Sequence, residues 1–265
     1  MIYLIKNFMK SLIKSSRKYV SFIRELTISE ILTKYRMSPL GPFWVVAANA
    51  ILIFGLYVVY SRILKSTSEG YFLYLSFGLV GWNTIVAQIT GSSNSLDQYQ
   101  NLILNFKIPI WTYPLTIVFT NFLLWLHNVL FLLLILLFNS KNLLLIFPTI
   151  LGSFTASIIL IPFSLFLSAW CAKFKDLKQA IIVTMNCLFF ITPIIWAPSS
   201  QSRAIGIISQ INPFTHLLNL YRLGLNMNTS SLINTVCLCV TFSSLVIFLI
   251  PSRFNPCVRS LLSKI

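Results

Sequence analysis

Long apolar runs alternate with short polar connections along most of the chain. A helix needs roughly 20 apolar residues to cross a bilayer, and six runs come close to or exceed that length. They are predicted as membrane spans at residues 42–61, 71–89, 113–138, 143–172, 180–196 and 231–250. The fourth run contains Pro148 and Pro162, which predict a kink or a start at the membrane interface. The pattern predicts an all-α polytopic membrane protein.

The segment before the first span is amphipathic. Its lysines recur every four residues and so fall on one helix face: Lys6, Lys10, Lys14 and Lys18. Apolar residues fill the opposite face, which predicts an interfacial helix lying on the membrane. A signal peptide is disfavoured because no uninterrupted apolar core follows the charges. Pro39 and Pro42 disfavour a continuous helix, and Gly41 permits a sharp turn into the first span.

Two connections are longer than a turn. The first contains a short, polar-to-apolar segment at 95–106 that is predicted to be helical. The second holds two apolar pieces, 204–211 and 214–225, that are too short to span and are therefore interfacial or re-entrant. The predicted divisions are an interfacial segment 1–41, a transmembrane domain 42–251 with a coupling loop 90–112 and an outer gate loop 197–230, and a tail 252–265.

Composition and charge agree with a membrane protein and give its orientation. The chain is 57% hydrophobic and 9% charged, with a net charge of +15. Of its 20 lysines and arginines, 15 fall in segments on the same side as the N-terminus and 5 on the other. Because cytoplasmic loops are enriched in positive charge, both termini are predicted to be cytoplasmic. This enrichment of positive charge in cytoplasmic loops also explains the net charge of the chain, so no nucleic-acid partner is needed to account for it.

The predicted spans lack the groups that membrane chemistry needs. No Asp, Glu, Lys or Arg lies in the middle of a span, and His127, beside Asn128, is expected to form a hydrogen bond between helices. A proton-coupled transporter needs an intramembrane acid or His chain, and a hydrolase needs a nucleophile with a base. A phosphate-binding G-x-x-x-x-G-K-[ST] loop is absent, and the five cysteines show no metal-site spacing. Any uphill transport must draw its energy from a partner.

Five motifs, in order along the chain, resemble those of ABC-2-type permeases that export bacterial polysaccharides, such as the O-antigen exporters. They are Lys34-Tyr35-Arg36 with Leu40-Gly41-Pro42-Phe43-Trp44, Asn101 through Lys107-Ile108-Pro109 with Pro114, Lys173-Phe174-Lys175-Asp176, Thr192-Pro193 through Trp196, and Asn212-Pro213 with Leu220-Tyr221-Arg222. There are departures. Asn219 stands where the family commonly carries Glu, which removes an expected ion-pair partner of Arg222, and Ile108 replaces a Phe.

The resemblance implies a homodimer of six-span permeases with two ATP-binding subunits in the bacterial inner membrane. The substrate it implies is a lipid-linked polysaccharide, with O-antigen as the leading candidate. This chain would be a transport subunit and not an enzyme. It would carry no cofactor or metal of its own, since ATP and Mg would bind the partner subunit.

Candidate residues follow from this resemblance and from general chemistry. The carrier pyrophosphate would be attracted by Arg24, Lys34 and Arg36, although such cations also serve lipid-surface binding. Sugars slide over aromatic rings, and the candidates for lining the channel are Trp44, Tyr57, Tyr60, Phe72, Tyr74, Trp82 and Trp111, although aromatics at span ends also form interface belts. Coupling to the ATPase is assigned to Asp97, Gln98, Asn101, Lys107, Lys173, Lys175 and Asp176. The outer gate is assigned to Ile207, Ile208, Asn212, Pro213 and Arg222.

Two other functions remain open from the sequence. An ABC-2 permease for a small lipid or drug shares the six-span layout. A polytopic glycolipid-modifying enzyme is the less favoured alternative because it needs acids or histidines clustered at a span end.

Overall fold

The computed structural model describes residues 2–63, 70–106, 108–138, 142–196 and 209–225, with side chains described at 18–61 in the first range. These residues are mostly helical and contain no strand, which confirms the predicted all-α class. In chain order they form α1 (Ile2–Tyr35), α2 (Phe43–Ile63), α3 (Gly70–Gln98), α4 (Gln100–Asn105), α5 (Thr112–Phe138), α6 (Ile146–Lys173), α7 (Asp176–Ile191) and α8 (Pro213–Tyr221).

Four helical segments are long and apolar enough to cross a membrane. They are Phe43–Ser61, Gly70–Gln98, Thr112–Phe138 and Leu143–Lys173, which correspond to the first four predicted spans. The second continues past its predicted end at residue 89. Polar side chains do not stop it because they bond within the helix. For example, the Ser95 hydroxyl donates to the Ser92 carbonyl at 2.7 Å. The protein is therefore a multi-pass membrane protein.

The fifth predicted span, 180–196, has different bounds in the structure. Helix α7 begins at Asp176, where an acidic group favours a helix N-terminus, and ends at Ile191. Thr192 is extended because it precedes Pro193. At 16 residues, α7 is about 24 Å long. That is short of a roughly 30 Å hydrocarbon core, so a fifth span stays a prediction.

Several predicted features lie outside the described residues. They are the sixth span at 231–250, the tail at 252–265, the first apolar piece of the gate loop up to residue 208, the side chains of Lys6, Lys10 and Lys14, and the coupling residue Lys107.

The chain turns between α1 and α2, at the segment where a break was predicted. Helix α1 ends at Tyr35, α2 begins at Phe43, and Gly41 between them has a φ of +54°. That backbone conformation is unfavourable for any residue with a Cβ. The Gly41 N–H donates to the Ser38 hydroxyl at 3.2 Å, which closes the turn.

The predicted coupling helix at 95–106 is divided in two. Its first residues complete α3, and α4 follows from Gln100 to Asn105. A 3₁₀ turn at Leu143–Leu145 precedes helix α6, and the Asn142 side chain accepts from the Leu144 N–H at 2.9 Å. Pro148 lies in the first turn of α6, and the kink or interfacial start stays a prediction. Pro162 lies inside α6.

Helix α3 is the centre of the bundle and contacts α2, α5, α6, α7 and α8. Its buried face joins those helices in one large apolar core. A second, smaller core lies where α3 and α4 meet the start of α5, and α1 packs there with Phe22 and Leu26. Helix α1 is therefore docked against the bundle through part of its apolar face.

One predicted interhelical hydrogen bond is wrong. His127 Nδ1 lies 2.9 Å from the Leu123 carbonyl oxygen, within its own helix α5. Its neighbour Asn128 makes the interhelical bond instead, accepting at Oδ1 from Asn49 Nδ2 on α2 at 2.9 Å. The i−4 carbonyl is often within reach of a polar side chain in a helix, and here it lies next to one of the two ring nitrogens.

Candidate functional site

Polar side chains gather at the two ends of α3. Its first turns, around Tyr74 and Gly78, meet the end of α8, and its last turn, around Asp97 and Gln98, meets α1. We call these the α8 end and the α1 end of the bundle. Of the sequence-predicted gate residues, Asn212, Pro213 and Arg222 lie at the first, and the coupling candidates Asp97 and Gln98 lie at the second.

Arg222, directly after α8, is the most buried charged side chain in the described part of the chain, at 1% exposure. Its guanidinium donates to three backbone carbonyls: Nε to Tyr74 at 3.2 Å, Nη1 to Pro193 at 2.7 Å and Nη2 to Ile194 at 3.0 Å. Its central carbon lies 3.6 Å from the centroid of the Tyr74 ring, which is a cation–π contact. We call Tyr74, residues 193–196 and Arg222 the Arg222 cluster.

The Arg222 cluster joins three parts of the chain at the α8 end. The Tyr74 hydroxyl also donates to the carbonyls of Pro193 and Trp196, at 2.9 and 3.2 Å. Arg222 thus bonds to backbone carbonyl oxygens. Asn219 has no carboxylate with which Arg222 could form an ion pair. A buried guanidinium that makes three hydrogen bonds to backbone carbonyls holds α3, the turn after α7 and α8 in one arrangement.

Asn212 and Pro213 start α8. The Asn212 side chain accepts from the Phe214 N–H at 3.0 Å, and Pro213 occupies the first helical turn, where its missing N–H costs nothing. Asn212 Nδ2 also donates to the Thr192 hydroxyl at 3.0 Å, which ties this cap to the turn after α7. Of the predicted gate residues, these two and Arg222 therefore lie together, and Ile207 and Ile208 lie outside the described residues.

The α6–α8 contact provides a test of this packing. A Cβ on Gly152 of α6 would overlap the carbonyl oxygen of Leu220 in α8, whereas Gly55 of α2 has nothing within 4 Å. We expect Gly152→Ala to destabilise the fold by about 1–3 kcal/mol, since backbone cannot move aside as a side chain can. Gly55→Ala, the same change in open space, is expected to be neutral or stabilising by up to about 1 kcal/mol. Thermal unfolding of the purified protein measures both, and equal melting temperatures would contradict the close packing of α8.

Glu30 of α1 lies at the centre of the polar contacts at the α1 end. It accepts hydrogen bonds from Tyr99 Oη at 2.6 Å, from Thr120 Oγ1 at 3.1 Å and from Gln98 Nε2 at 3.3 Å. We call these four residues the Glu30 cluster. One carboxylate thus joins α1, the α3–α4 junction and α5.

Tyr99 stays the donor in this cluster. Burial, the hydrogen bond to Glu30 and the charge of that carboxylate together raise the pKa of Tyr99 well above its usual value. The phenol therefore remains protonated at physiological pH, and a charge-assisted bond to a carboxylate is among the stronger hydrogen bonds in proteins.

Most of the predicted coupling residues are charged or polar side chains on α3, α4 and the connection between α6 and α7. Asp97 forms an ion pair with Lys178 of α7, which links α3 to α7. Gln98 and Asn101 are exposed, as are Lys173, Lys175 and Asp176 between α6 and α7. The Lys173 ammonium lies 5.1 Å from the centroid of the Phe174 ring. This end of the bundle therefore presents charged side chains on an anchored framework.

The three predicted carrier-binding cations are exposed, but they are not equivalent. Arg24 bonds to its neighbour Glu25 at 2.7 Å, which uses part of its charge. Lys34 and Arg36 lie beyond it, at the junction of α1 and α2, with the Lys34 ammonium 5.7 Å from the centroid of the Tyr35 ring. No carboxylate contacts Lys34 or Arg36 among the described residues.

The seven predicted channel aromatics lie in different environments. Trp44 is 51% exposed, whereas Trp82 is 3% exposed and packs in the core against Phe189 and Phe214. Trp82 is therefore part of the apolar core within one copy of the chain. Tyr74 is held in the Arg222 cluster. The remaining four are half-buried and pack against other aromatic or apolar side chains: Tyr57, Tyr60, Phe72 and Trp111.

Glu30 and Lys178 are the functional candidates that sequence reasoning missed. Both pair with groups far along the chain: Glu30 with Gln98, Tyr99 and Thr120, and Lys178 with Asp97. The sequence did contain one indication of their importance: it has only five acidic residues, so each acidic residue is notable. Glu30 lies in a mostly basic segment that is predicted to be on the same side of the membrane as residues 97–99. Those residues were therefore possible partners for its carboxylate.

The described residues contain no group of three or more His, Cys, Asp or Glu side chains that could hold a metal ion. No curated protein matches the sequence. Residues 22–226 match the ABC-2 type transporter family, whose permeases generally work with an ATP-binding subunit. The matched region begins in α1 and ends beyond α8, so it includes both the Glu30 cluster and the Arg222 cluster. The chain therefore belongs to the ABC-2 type transporter family and is a transmembrane permease subunit.

Proposed function

We propose that this permease exports a lipid-linked polysaccharide, of the O-antigen type used in lipopolysaccharide biosynthesis, across the bacterial inner membrane. Two copies of the chain form the channel between them, and two ATP-binding subunits supply the energy. Both termini are cytoplasmic, so the α1 end of the bundle faces the ATP-binding subunits. ATP and Mg bind those subunits, and this chain contributes no catalytic group.

The junction of α1 and α2 is the observation that carries this proposal. It presents two cations, Lys34 and Arg36, that contact no carboxylate in the part of the chain the structure describes, together with the exposed ring of Trp44. A lipid-linked glycan has an anionic phosphate that the cations attract and sugar C–H faces that an indole ring can hold. A drug that has neither a phosphate nor a sugar would bind neither to these cations nor to the indole ring in this way. The five motifs quoted above, which resemble those of polysaccharide exporters, support the same substrate.

Coupling is proposed to run through the α1 end. The exposed groups there, Gln98, Asn101, Lys173, Lys175 and Asp176, form a polar surface for the ATP-binding subunit. The Glu30 cluster then connects that surface to α1, and through α1 to the cations at its end. The outer gate is proposed at the α8 end, where α8 and Arg222 belong to the loop that precedes the sixth predicted span.

The decisive experiment is gentle extraction of the protein from its own membrane, followed by ATPase assays on the purified assembly. We expect a stoichiometric subunit with an ATP-binding site, and an ATPase rate that rises with a lipid-linked glycan. A response to small lipids or drugs alone would replace the proposed substrate with the alternative one. A protein that purifies alone, with no ATPase activity, would contradict an ATP-driven exporter of either kind.

Arg36→Ala tests the loading site. We expect export to fall about fivefold, since a basic group near an anionic surface contributes about 1 kcal/mol. The amount of protein inserted in the membrane should not change, because the Arg36 side chain is exposed. Lys18→Ala removes an equally exposed cation from the same helix and is expected to leave export unchanged. Full export by Arg36→Ala would remove this residue from the proposed site.

A further inference from the structure

A cavity of about 350 Å³, lined by apolar side chains and by several amides, lies between the end of α1 and helices α2, α3 and α5. Its size is at the small end of the range for ligand sites. Lys34 and Trp44 lie at the junction of α1 and α2, and the deeper wall includes Asn49, Asn83, Asn121 and Trp125. A concentration of amides inside a membrane domain calls for an explanation, because polar groups there are costly unless they are bonded.

The amides form a connected series across three helices. Asn83 Nδ2 of α3 donates to Asn49 Oδ1 of α2 at 2.6 Å. Asn49 Nδ2 then donates to Asn128 Oδ1 of α5 at 2.9 Å, and Asn128 Nδ2 lies 3.4 Å from the Leu124 carbonyl oxygen. These bonds hold the cavity wall in place. They do not use every donor and acceptor of the amides, since each carboxamide has two N–H groups and two lone pairs.

Trp125 supplies an unused donor. The side chain is 1% exposed, and its indole N–H has no acceptor among the described residues. Buried indole N–H groups normally find a partner. Because Trp125 lines the cavity, a ligand that accepts a hydrogen bond there would satisfy this group.

The chemistry of the wall selects the class of ligand. The residues that line the cavity include one charged group, Lys34, and no carboxylate. Farther in, carboxamides and the indole offer neutral donors and acceptors, which match the hydroxyls of a sugar. An anionic phosphate fits beside Lys34. Trp125 lies about 20 Å along α5 from its start, at 1.5 Å per residue, so the deep part of the cavity lies well inside the span.

We propose that this cavity binds the headgroup of the lipid-linked glycan before transport, with a sugar against Asn49, Asn83 and Trp125 and the phosphate beside Lys34. This inference rests on the proposed function and adds the place where the headgroup of the substrate binds. It explains how a polar sugar can enter the hydrocarbon region: the amide wall replaces the water that the sugar loses.

The test uses the complete complex of this chain with its ATP-binding subunit in lipid nanodiscs. The probes are a radiolabelled short-chain prenyl diphosphate that carries one hexose and the same prenyl diphosphate without the sugar. Ala87→Leu adds bulk to the cavity without replacing any of the amides, and Trp125→Phe removes only the indole N–H and part of the ring. Ala180→Leu is the control for Ala87→Leu. It makes the same substitution at an exposed position of α7 that does not line the cavity.

We expect Ala87→Leu to weaken binding of the hexose probe at least tenfold, roughly the loss of more than one hydrogen bond, and Trp125→Phe by about threefold to tenfold, the loss of one. Binding of the sugar-free probe should not change in either variant, and Ala180→Leu should bind both probes like the wild type. Equal weakening of both probes, or wild-type binding of the hexose probe by Ala87→Leu, would overturn the site.

The two levels of the proposal fail in different ways. If the wild-type complex binds neither probe and its ATPase rate ignores lipid-linked glycan, the proposed function and the cavity site are both wrong. If its ATPase rate responds to glycan while Ala87→Leu binds the hexose probe normally, only the cavity site is wrong.

Discussion

Replacing Arg222 by leucine is expected to destabilise the protein by at least about 3 kcal/mol and to abolish export. The substitution leaves the carbonyls of Tyr74, Pro193 and Ile194 without their donors in a buried site. A buried acceptor that loses its partner costs about 1–3 kcal/mol. Arg222→Lys is expected to recover only part of this loss, because an ammonium is a point charge and cannot reproduce the planar fork of a guanidinium. Thermal unfolding of the purified protein, with export measured in parallel, checks both.

Arg24→Leu is the matched control, since Arg24 is exposed and pairs only with Glu25 in the described structure. Its melting temperature should stay close to that of the wild type. Tyr74→Phe provides a graded test. It removes the hydroxyl that bonds to Pro193 and Trp196 but keeps the ring under the guanidinium, so its loss should be smaller than that of Arg222→Leu. A melting temperature of Arg222→Leu equal to that of Arg24→Leu would contradict the Arg222 cluster.

The first four spans and the turn at Gly41 could be predicted because the information is local. The length of an apolar run is enough to predict a spanning helix. Pro39 and Pro42 predict a break in the helix, and Gly41 between them can adopt the backbone conformation that a sharp turn needs. The cap of α8 is equally local, as Asn212 and Pro213 occupy the positions that such residues favour at a helix start. The bounds of α7 were missed because Thr192 responds to the proline that follows it and Asp176 extends the helix at its start.

The polar clusters could be predicted only in part because their contacts join distant segments. Arg222 was singled out, but its partners are backbone carbonyls, which every residue carries and no sequence pattern distinguishes. Trp82 was assigned to the channel because it is aromatic, yet its neighbours Phe189 and Phe214 come from distant segments and bury it. Glu30 was missed for the same reason, since its partners are 68, 69 and 90 positions away.

Helix α3 gives these two clusters a shared framework. One carbonyl near its start, that of Tyr74, accepts from Arg222, and two side chains at its end, Asp97 and Gln98, contact Lys178 and Glu30. A movement of the α1 end can therefore reach the α8 end along a single buried helix that contacts most of the others. Uncoupling should result from loosening either end, and Glu30 supplies the polar attachment of α1 at its end.

Glu30→Gln is expected to reduce glycan export per ATP hydrolysed at least about tenfold in the reconstituted complex. Glutamine keeps the shape of the side chain but removes the charge that strengthens three hydrogen bonds. Bonds to charged groups contribute about 1.5–3 kcal/mol each, so the loss of charge weakens the polar attachment of α1 while the apolar contacts of Phe22 and Leu26 remain. ATP hydrolysis should continue, because the catalytic residues belong to the partner subunit in this proposal. The measurement is the ratio of glycan exported to ATP consumed in proteoliposomes.

Glu25→Gln makes the same chemical change on the same helix, at an exposed residue that pairs only with Arg24 in the described structure. Its export ratio should equal that of the wild type. Tyr99→Phe should resemble Glu30→Gln, and the double variant should be little worse than either single one, because both remove the same bond. If Glu30→Gln keeps the wild-type ratio, or if the effects of Tyr99→Phe and Glu30→Gln simply add, the Glu30 cluster does not connect ATP hydrolysis to α1. Tight coupling in Glu30→Gln would then favour the Asp97–Lys178 pair as the connection, since it links α3 to α7 without α1.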